Sequence, residues 1–444
     1  MLVVLLLASV HIPAASRAAE SEVEDQPAPA SVEEMEGALE KGLEEKPDPF
    51  VRPFRRWLRT LPPFLSDTHL DLKFRTYYFD RTQTDGSEEE TWAAGGSLAY
   101  RSGRWRGFLS VGAELFTSQR LYGPEDRDGL EMLRPRQVGL TVLGKAHLDL
   151  QYKEILQARF YRQDFQLPYL NRQDSRMIPN TFEAYVLRGE VSGFGFIGGH
   201  VTQMKTRGSR DFISMSEAAG AQSSKDRGLT MMGARYSLRK GVSIGAIDYY
   251  AWDVMNVLYA EANYTRELTD EIGLKLSGQF THQRSIGEEL LGDPSFDTYV
   301  WGGRAALSGR SAILTAAFSS TSDHAAIKSP YGSYPGYVSL MRKDFDRAGE
   351  LAWLVGASYD FKQLGIPGLS AFARFARGTS ARDPSSGDSL PNQQEFDVTV
   401  DYKLPEGRLE GFWIRLRYAF LDVDGDADPA HDLRVILSYQ IPIL

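Results

Sequence analysis

The 444-residue chain contains no cysteine, which excludes a disulfide scaffold, a thiolate metal site and a cysteine nucleophile. It has no excess of positive charge. Fifty Lys and Arg stand against 59 Asp and Glu, a formal net charge of -9 that argues against a nucleic-acid binder. Long apolar runs are missing beyond the N-terminus, so the body of the chain has no segment suited to a membrane-spanning helix. The 7 histidines show no ligand spacing, and neither a metal nor a cofactor is expected. What is abundant is glycine, at 41 residues, and aromatic side chains, at 11% of an otherwise polar sequence. That combination suits a large β-barrel.

Three regions are expected. Residues 1–19 read as a secretory signal, with an apolar run from Val3 to Val10, a small-x-small site at Ser16-Arg17-Ala18 and no basic residue ahead of the run. Residues 20–67 form an acidic, proline-bearing extension, in which Ser31 and Glu34 suit a capping box and 47–65 mixes arginines with Phe54, Trp57 and Leu58. It is expected to be disordered or to hold short helices on the periplasmic side. Residues 68–444 are the barrel.

From His69 onward the apolar period is two. Leu70, Leu72, Phe74, Thr76 and Tyr78 share one face, and Asp71, Lys73 and Arg75 the other. The alternation is cleanest near the end, in Phe412-Ile414-Leu416-Tyr418-Phe420 and Leu433-Val435-Leu437-Tyr439-Ile441. About 18 such segments start near residues 69, 91, 105, 142, 154, 182, 194, 229, 242, 254, 271, 297, 311, 350, 368, 394, 411 and 432. Short turns (Ser102-Gly103, Tyr152-Lys153, Lys240-Gly241, Ser308-Gly309-Arg310) alternate with longer polar loops, the longest at 206–228 and 321–349. Only the connection at Trp252-Asp253 breaks the pattern by being short. Short turns on one side and long loops on the other mark an antiparallel barrel threaded through a bacterial outer membrane. Such a barrel meets lipid with its apolar face and lines a wet lumen with the polar one. Aromatics at strand ends, among them Tyr77, Tyr78, Phe79, Tyr418 and Phe420, suit interfacial girdles.

Four stretches stand out: Asp174-Ser175-Arg176-Met177-Ile178-Pro179-Asn180-Thr181-Phe182-Glu183-Ala184 running on to Gly198-Gly199-His200, then Lys343 to Glu350, Tyr359-Asp360-Phe361 with Leu364 to Leu369, and Arg415-Leu416-Arg417. In order and spacing they resemble the OprD-type porins, the outer-membrane carboxylate channels. The resemblance covers nearly all of 69–444. It implies an all-β transmembrane barrel of 18 strands narrowed by inward-folded loops, and a ladder of lumen arginines that guides small carboxylate-bearing solutes. Two features depart from the family pattern: the long N-terminal extension, and a terminal Leu444 where an aromatic residue is usual.

Strand parity supplies the candidate residues. Arg415, Arg417 and Arg434 lie opposite the apolar face and hence inside, as do Arg374, Lys73 and Arg75. Closing the barrel makes these one wall, spanning strands 15, 17, 18 and 1. Successive guanidiniums offer a carboxylate weak docking points, which permeation requires. Glu395, Asp397 and Asp401 face inward on the intervening strand, so the alternative is that the arginines serve only as their structural partners. The constriction is expected from Tyr169, Arg172, Asp174 and Arg176 in the third loop and Ser329, Tyr331, Tyr334 and Tyr337 in the seventh. Acids and hydroxyls facing the arginine wall suit anionic or zwitterionic solutes; alternatively the tyrosines only pack the loop.

Two motifs match by chance. Gly193-Phe194-Gly195-Phe196-Ile197-Gly198 has the dinucleotide pattern and Gly241-Val242-Ser243-Ile244-Gly245 the nucleophile-elbow pattern, but each starts a strand with no helix after it. The expectation is therefore a channel and not an enzyme, with lipid, lipopolysaccharide and small solutes as partners, no nucleic acid, and a monomer or loose trimer. An unselective diffusion pore is the alternative, and a barrel enzyme with a Ser-His or Asp-His pair at one rim a more distant one.

Overall fold

A computed structural model describes residues 57, 60–153, 155–221, 225–291, 295–426 and 428–444. The expected signal at 1–19 and most of the 20–67 extension lie outside the described residues; at its end Pro63–Ser66 form one helical turn.

The chain forms one closed antiparallel barrel of 18 strands. In order these are β1 (His69–Thr82), β2 (Glu88–Arg101), β3 (Leu109–Tyr122), β4 (Leu140–Tyr152), β5 (Leu156–Gln163), β6 (Thr181–Val191), β7 (Phe194–Lys205), β8 (Leu229–Arg239) and β9 (Val242–Ala251). The circuit continues with β10 (Met255–Thr269), β11 (Ile272–Ser285), β12 (Asp297–Gly309), β13 (Ala312–Thr321), β14 (Leu351–Asp360), β15 (Leu369–Thr379), β16 (Gln393–Lys403), β17 (Trp413–Val423) and β18 (Ala430–Pro442). Each strand begins within four residues of the start expected from periodicity. A two-residue strand, Ile213–Ser214, only caps the end of β7. β1 pairs with β18 from Asp71–Pro442 to Thr82–His431, which closes the cylinder and leaves no open edge.

Local chemistry explains the alternation of connections. Ser192 and Gly193 join β6 to β7 with φ of 50° and 78°, the left-handed pair that matches strand twist in a two-residue hairpin. The long connections lie at the other rim. We name them L1 to L9 in order, so that L2 is 123–139, L3 is 164–180, L4 is 206–228 and L7 is 322–350.

The barrel is apolar outside and polar inside. Outward Leu72 and Phe74 are 39% and 45% exposed, whereas inward Arg75, the next residue, is 7% exposed. Trp92, Tyr250 and Trp252 ring the long-loop rim, and Tyr152, Phe194 and Tyr402 the short-turn rim, all exposed. Tyr77 and Phe79 do not belong to these girdles. They share parity with Lys73 and Arg75, point into the lumen, and are fully buried. L2 and L3 fold inward and pack Leu130, Met132, Met177 and Ile178 against them. Aromatics inside the barrel are stable here because loops, not water, cover them.

The lumen constriction as candidate functional site

L3 leaves the end of β5 and turns at Tyr169 (φ 61°), whose hydroxyl donates to Thr281 of β11 (2.9 Å). The Tyr249 hydroxyl donates to the Pro168 carbonyl at 2.5 Å, fixing the loop to β9. L3 and L7 are interlocked through Asn171. Its carbonyl oxygen accepts from the Ser333 amide and hydroxyl (2.9 and 3.1 Å), and its amide donates to the Ser333 carbonyl (3.1 Å).

Beyond Asn171 the loop crosses to β1. Arg75 donates to Asp174 (2.8 Å) and to the Arg176 carbonyl (2.6 Å), and Arg172 donates to Asp174 at 2.6 Å. Burial alone would raise the Asp174 carboxyl, but Arg75, Arg172 and Lys73 outweigh it and hold the group well below the usual carboxylate range. Arg176 donates to the Leu130 carbonyl (2.6 Å) and lies 4.9 Å over the Phe79 ring. Burial, with Arg434 and Arg207 nearby, pushes the Arg176 guanidinium down from its ordinary value.

L7 crosses the lumen to the opposite end of the same wall. Its backbone N–H groups at Met341, Arg342 and Lys343 donate to Asp397 and Glu395 of β16 at 3.0, 2.8 and 2.9 Å. The Arg342 guanidinium pairs with Asp432 of β18. Asp432, fully buried, also accepts from Arg81 (2.9 Å) and Arg434 (2.6 Å). Three guanidiniums thus converge on one carboxylate. The Arg434 and Arg81 groups lie 4.4 and 5.0 Å from the Phe79 ring centre, so that buried aromatic offers its π-face to the same cluster.

The six wall residues all face the lumen, and the register ranks them. Arg374 opposes Asp397 in the row nearest the long loops, where Asp432 opposes Arg81. One row down, Arg417 opposes Arg434, which opposes Phe79. Next comes Arg415 opposite Asp401, then Arg75 opposite Ser438, then Lys73 opposite Gln440. Rows two residues apart are about 7 Å apart along a strand. Acid partners are present at several rungs: Arg415–Asp401 at 2.7 Å, Arg374–Asp397 at 3.5 Å and Arg434–Asp432 at 2.6 Å, while Arg417 donates to the Thr399 hydroxyl at 3.2 Å.

The tyrosines sit otherwise. Tyr169, Tyr331 and Tyr334 are buried in the apolar cluster that joins L3 and L7 to β6–β12, with Tyr169 edge-on to Tyr259 and Tyr334. Burial pushes the Tyr331 and Tyr334 hydroxyls above their ordinary value, so they stay neutral. Tyr337 donates to Glu261 (3.3 Å) and carries Arg304 over its ring. Ser329 is part of L7, its hydroxyl enclosed by protein without a hydrogen-bond partner. The four tyrosines build the loops' anchorage rather than a hydroxyl face on the pore. Residues missed in the sequence are Arg342, Asp432, Arg81 and Lys205, the last fully buried with its ammonium on the Pro179 and Thr206 carbonyls. Parity places Arg81 and Asp432 inside; for Arg342 and Lys205 no local signal exists.

Known proteins share this architecture. The profile of the outer membrane porin, OprD family, matches residues 62–443. Porin D of Pseudomonas aeruginosa is 24% identical over 419 residues, covering 86% of this chain and 92% of its own. The porin-like protein GalP of Pseudomonas putida is 23% identical, covering 86% of this chain and 93% of its own. The crystal structure of Pseudomonas aeruginosa OccK9 (OpdG) superposes with a TM-score of 0.77 at 26% identity, over 86% of this chain and all of that one. A barrel with a polar bore, narrowed by its own loops and covered almost end to end by that profile, places this chain in the OprD family of outer membrane porins: an integral outer-membrane channel, not an enzyme.

Proposed function

We propose that the pore admits small carboxylate-bearing solutes selectively, passing them down the basic wall of β15, β17, β18 and β1. The carrying observation is the register: Arg374, Arg417 with Arg434, Arg415, Arg75 and Lys73 occupy successive inward rows beside the L3 and L7 constriction. A carboxylate moving between rows exchanges one partly satisfied guanidinium for the next. Each docking is weak because an acid or hydroxyl already shares the group, and weak multi-site binding lets a solute leave as well as enter. A solved relative from Pseudomonas aeruginosa, OpdK, was crystallised with vanillate, itself a carboxylate, which supports the solute class. The acid partners support a second reading, an unselective diffusion pore in which the arginines only complete ion pairs.

Reversal potentials in planar bilayers under a salt gradient separate the two. Wild type is expected to prefer anions, and Arg415→Ala with Arg417→Ala to lose most of that preference. Equal selectivity in both proteins would leave the diffusion pore as the better account.

L7 adds a pH dependence. Burial in the loop, then the Asp344 and Glu350 carboxylates, push Asp346 up to about 8. Asp346 is therefore protonated at neutral pH and gains charge as pH rises through about 8. A carboxyl raised above its unfolded value favours folding at low pH and loses that contribution between its unfolded value, about 3.9, and about 8. Anion preference is expected to fall between pH 7 and 9, and Asp346→Asn to flatten the step. A profile identical in the variant would assign the step elsewhere.

A further inference from the structure

The charge of the chain is distributed unevenly. Residues 20–48 hold 11 Asp and Glu against 2 Lys, a charge of -9 that equals the net charge of the whole sequence. β1 starts at the short-turn rim, the periplasmic one in such a barrel, so the chain joins the barrel there. The helical turn Pro63–Ser66 fixes where the acidic stretch is tied. Its Phe64 carbonyl accepts from the Gly103 amide (3.0 Å), two residues past Arg101 at the end of β2. A Cβ on Gly103 would lie 2.0 Å from the Pro63 carbonyl oxygen, so this close contact requires glycine. Asp48 lies 12 residues before Thr60. Extended, that length of chain reaches about 40 Å.

The tie sits beside a pocket in the periplasmic mouth. At the seam of β18, β1 and β2, a cavity of about 310 Å³ is lined by His69, Asp71, Arg101 and Gln440 among others. His69 opposes Arg101 and Gln440 opposes Lys73, so the pocket continues the basic wall below its lowest rung. Arg101 is exposed and forms no side-chain hydrogen bond or ion pair among the described residues. A guanidinium so placed has five donors to offer an anion. Asp71 is the one acid in the lining.

We infer that this pocket is the docking site for the chain's own acidic stretch, residues 20–48, whose carboxylates occupy the foot of the basic wall in place of solute. The inference rests on the carboxylate reading above: a wall that passes carboxylates also meets the 11 that the chain itself carries. Complementary charge selects this occupant, and so does the tie at Gly103, which holds the stretch within reach of Arg101. A tether this short sets a local concentration on the order of millimolar. A contact with a dissociation constant of about 1 mM is then about half occupied. Such a contact competes with solute and still yields to it, as permeation requires.

The test uses the purified full chain in planar bilayers. One full-length variant carries Glu33→Gln, Glu34→Gln, Glu36→Gln, Glu40→Gln, Glu44→Gln and Glu45→Gln, all outside the barrel, and a second carries Arg101→Ala. Mean potassium chloride current at low salt is expected to be about twofold larger in both, the relief of a half-occupied site. Raising the salt from about 0.1 M to about 1 M should abolish the difference, because the screening length falls from about 10 Å to about 3 Å. A synthetic peptide of residues 20–48, added to one face of the bilayer and not the other, should restore the block in the glutamine variant. Equal low-salt currents in wild type and the glutamine variant, or a gain that survives high salt, overturn the docking, while anion preference in both keeps the arginine wall standing. A gain that Arg101→Ala does not share overturns the pocket as the docking point. Absence of anion preference in wild type and glutamine variant alike removes the carboxylate reading, and this docking with it.

Discussion

Asp432→Ala is expected to destabilise the protein by about 3–5 kcal/mol, the range for removing one partner of a buried ion pair. The carboxylate is fully buried and is shared by Arg81, Arg342 and Arg434. Without it three cations face one another at close range around the Phe79 ring, with Glu89 3.6 Å from Arg81 and the Gln83 amide oxygen on Arg342 as remaining partners. Arg342 is also the side chain that ties L7 to β18, so its release frees the loop that narrows the bore. Two measurements are expected to move together: a lower unfolding temperature by circular dichroism, and a larger, noisier single-channel conductance. Asp432→Asn retains shape and one acceptor oxygen, and should fall between wild type and alanine. Unfolding within 0.5 kcal/mol of wild type, the size of an ordinary surface substitution, would show that the cluster carries no such load.

The contrast between legible and hidden parts of this molecule follows from the range of the interactions. A strand that is wet on one side and lipid-covered on the other must alternate, so period two exposes both the strand and its inward face. Arg415, Arg417 and Arg434 could therefore be oriented from neighbours one residue away. Closure of β18 on β1 then follows from the fold, and it places Arg75 and Lys73 on the same wall. The inward loops obey no such local rule. L7 reaches Asp432 through Arg342, 90 residues earlier, and Arg75 meets Asp174 across 99 residues. The lumen placement of Tyr77 and Phe79 is legible in the parity they share with Lys73 and Arg75. Aromatic character at a strand end masks it, because a girdle and a loop-covered lumen both accept such side chains. The tyrosines of L7 show the same ambiguity in a loop, where no period exists to resolve it.

Those same acids divide the labour in a way that composition hides. Glu395 and Asp397 spend acceptor capacity on the L7 backbone, while Asp401 is bonded to Arg415 and to the Trp413 indole (2.8 Å). The charges on β16 thus hold a loop at one height and temper a rung at another.

At the centre of the constriction, Asp174→Ala should change selectivity most. Asp174 is the negative charge set among Arg75, Arg172 and Lys73, and it is also the tether of L3 to β1. Its removal leaves three cations without that counter-charge beside the bore. The reversal potential is expected to shift toward the anion limit, with a stability loss of about 1.5–3 kcal/mol, the range for a charged hydrogen bond. The wild-type pH profile follows from the same cluster. A carboxyl held below its unfolded value contributes stability above that value, about 3.9, and surrenders it only as pH falls through the lower folded one. L3 should therefore stay tethered, and conductance stay level, from pH 7 down to about 4. An alanine variant with wild-type selectivity would mean that solute passes without sensing this carboxylate. A conductance step near pH 4 in wild type, absent from the variant, would mean that Asp174 titrates like an ordinary exposed acid and that Arg75 and Arg172 do not hold its charge.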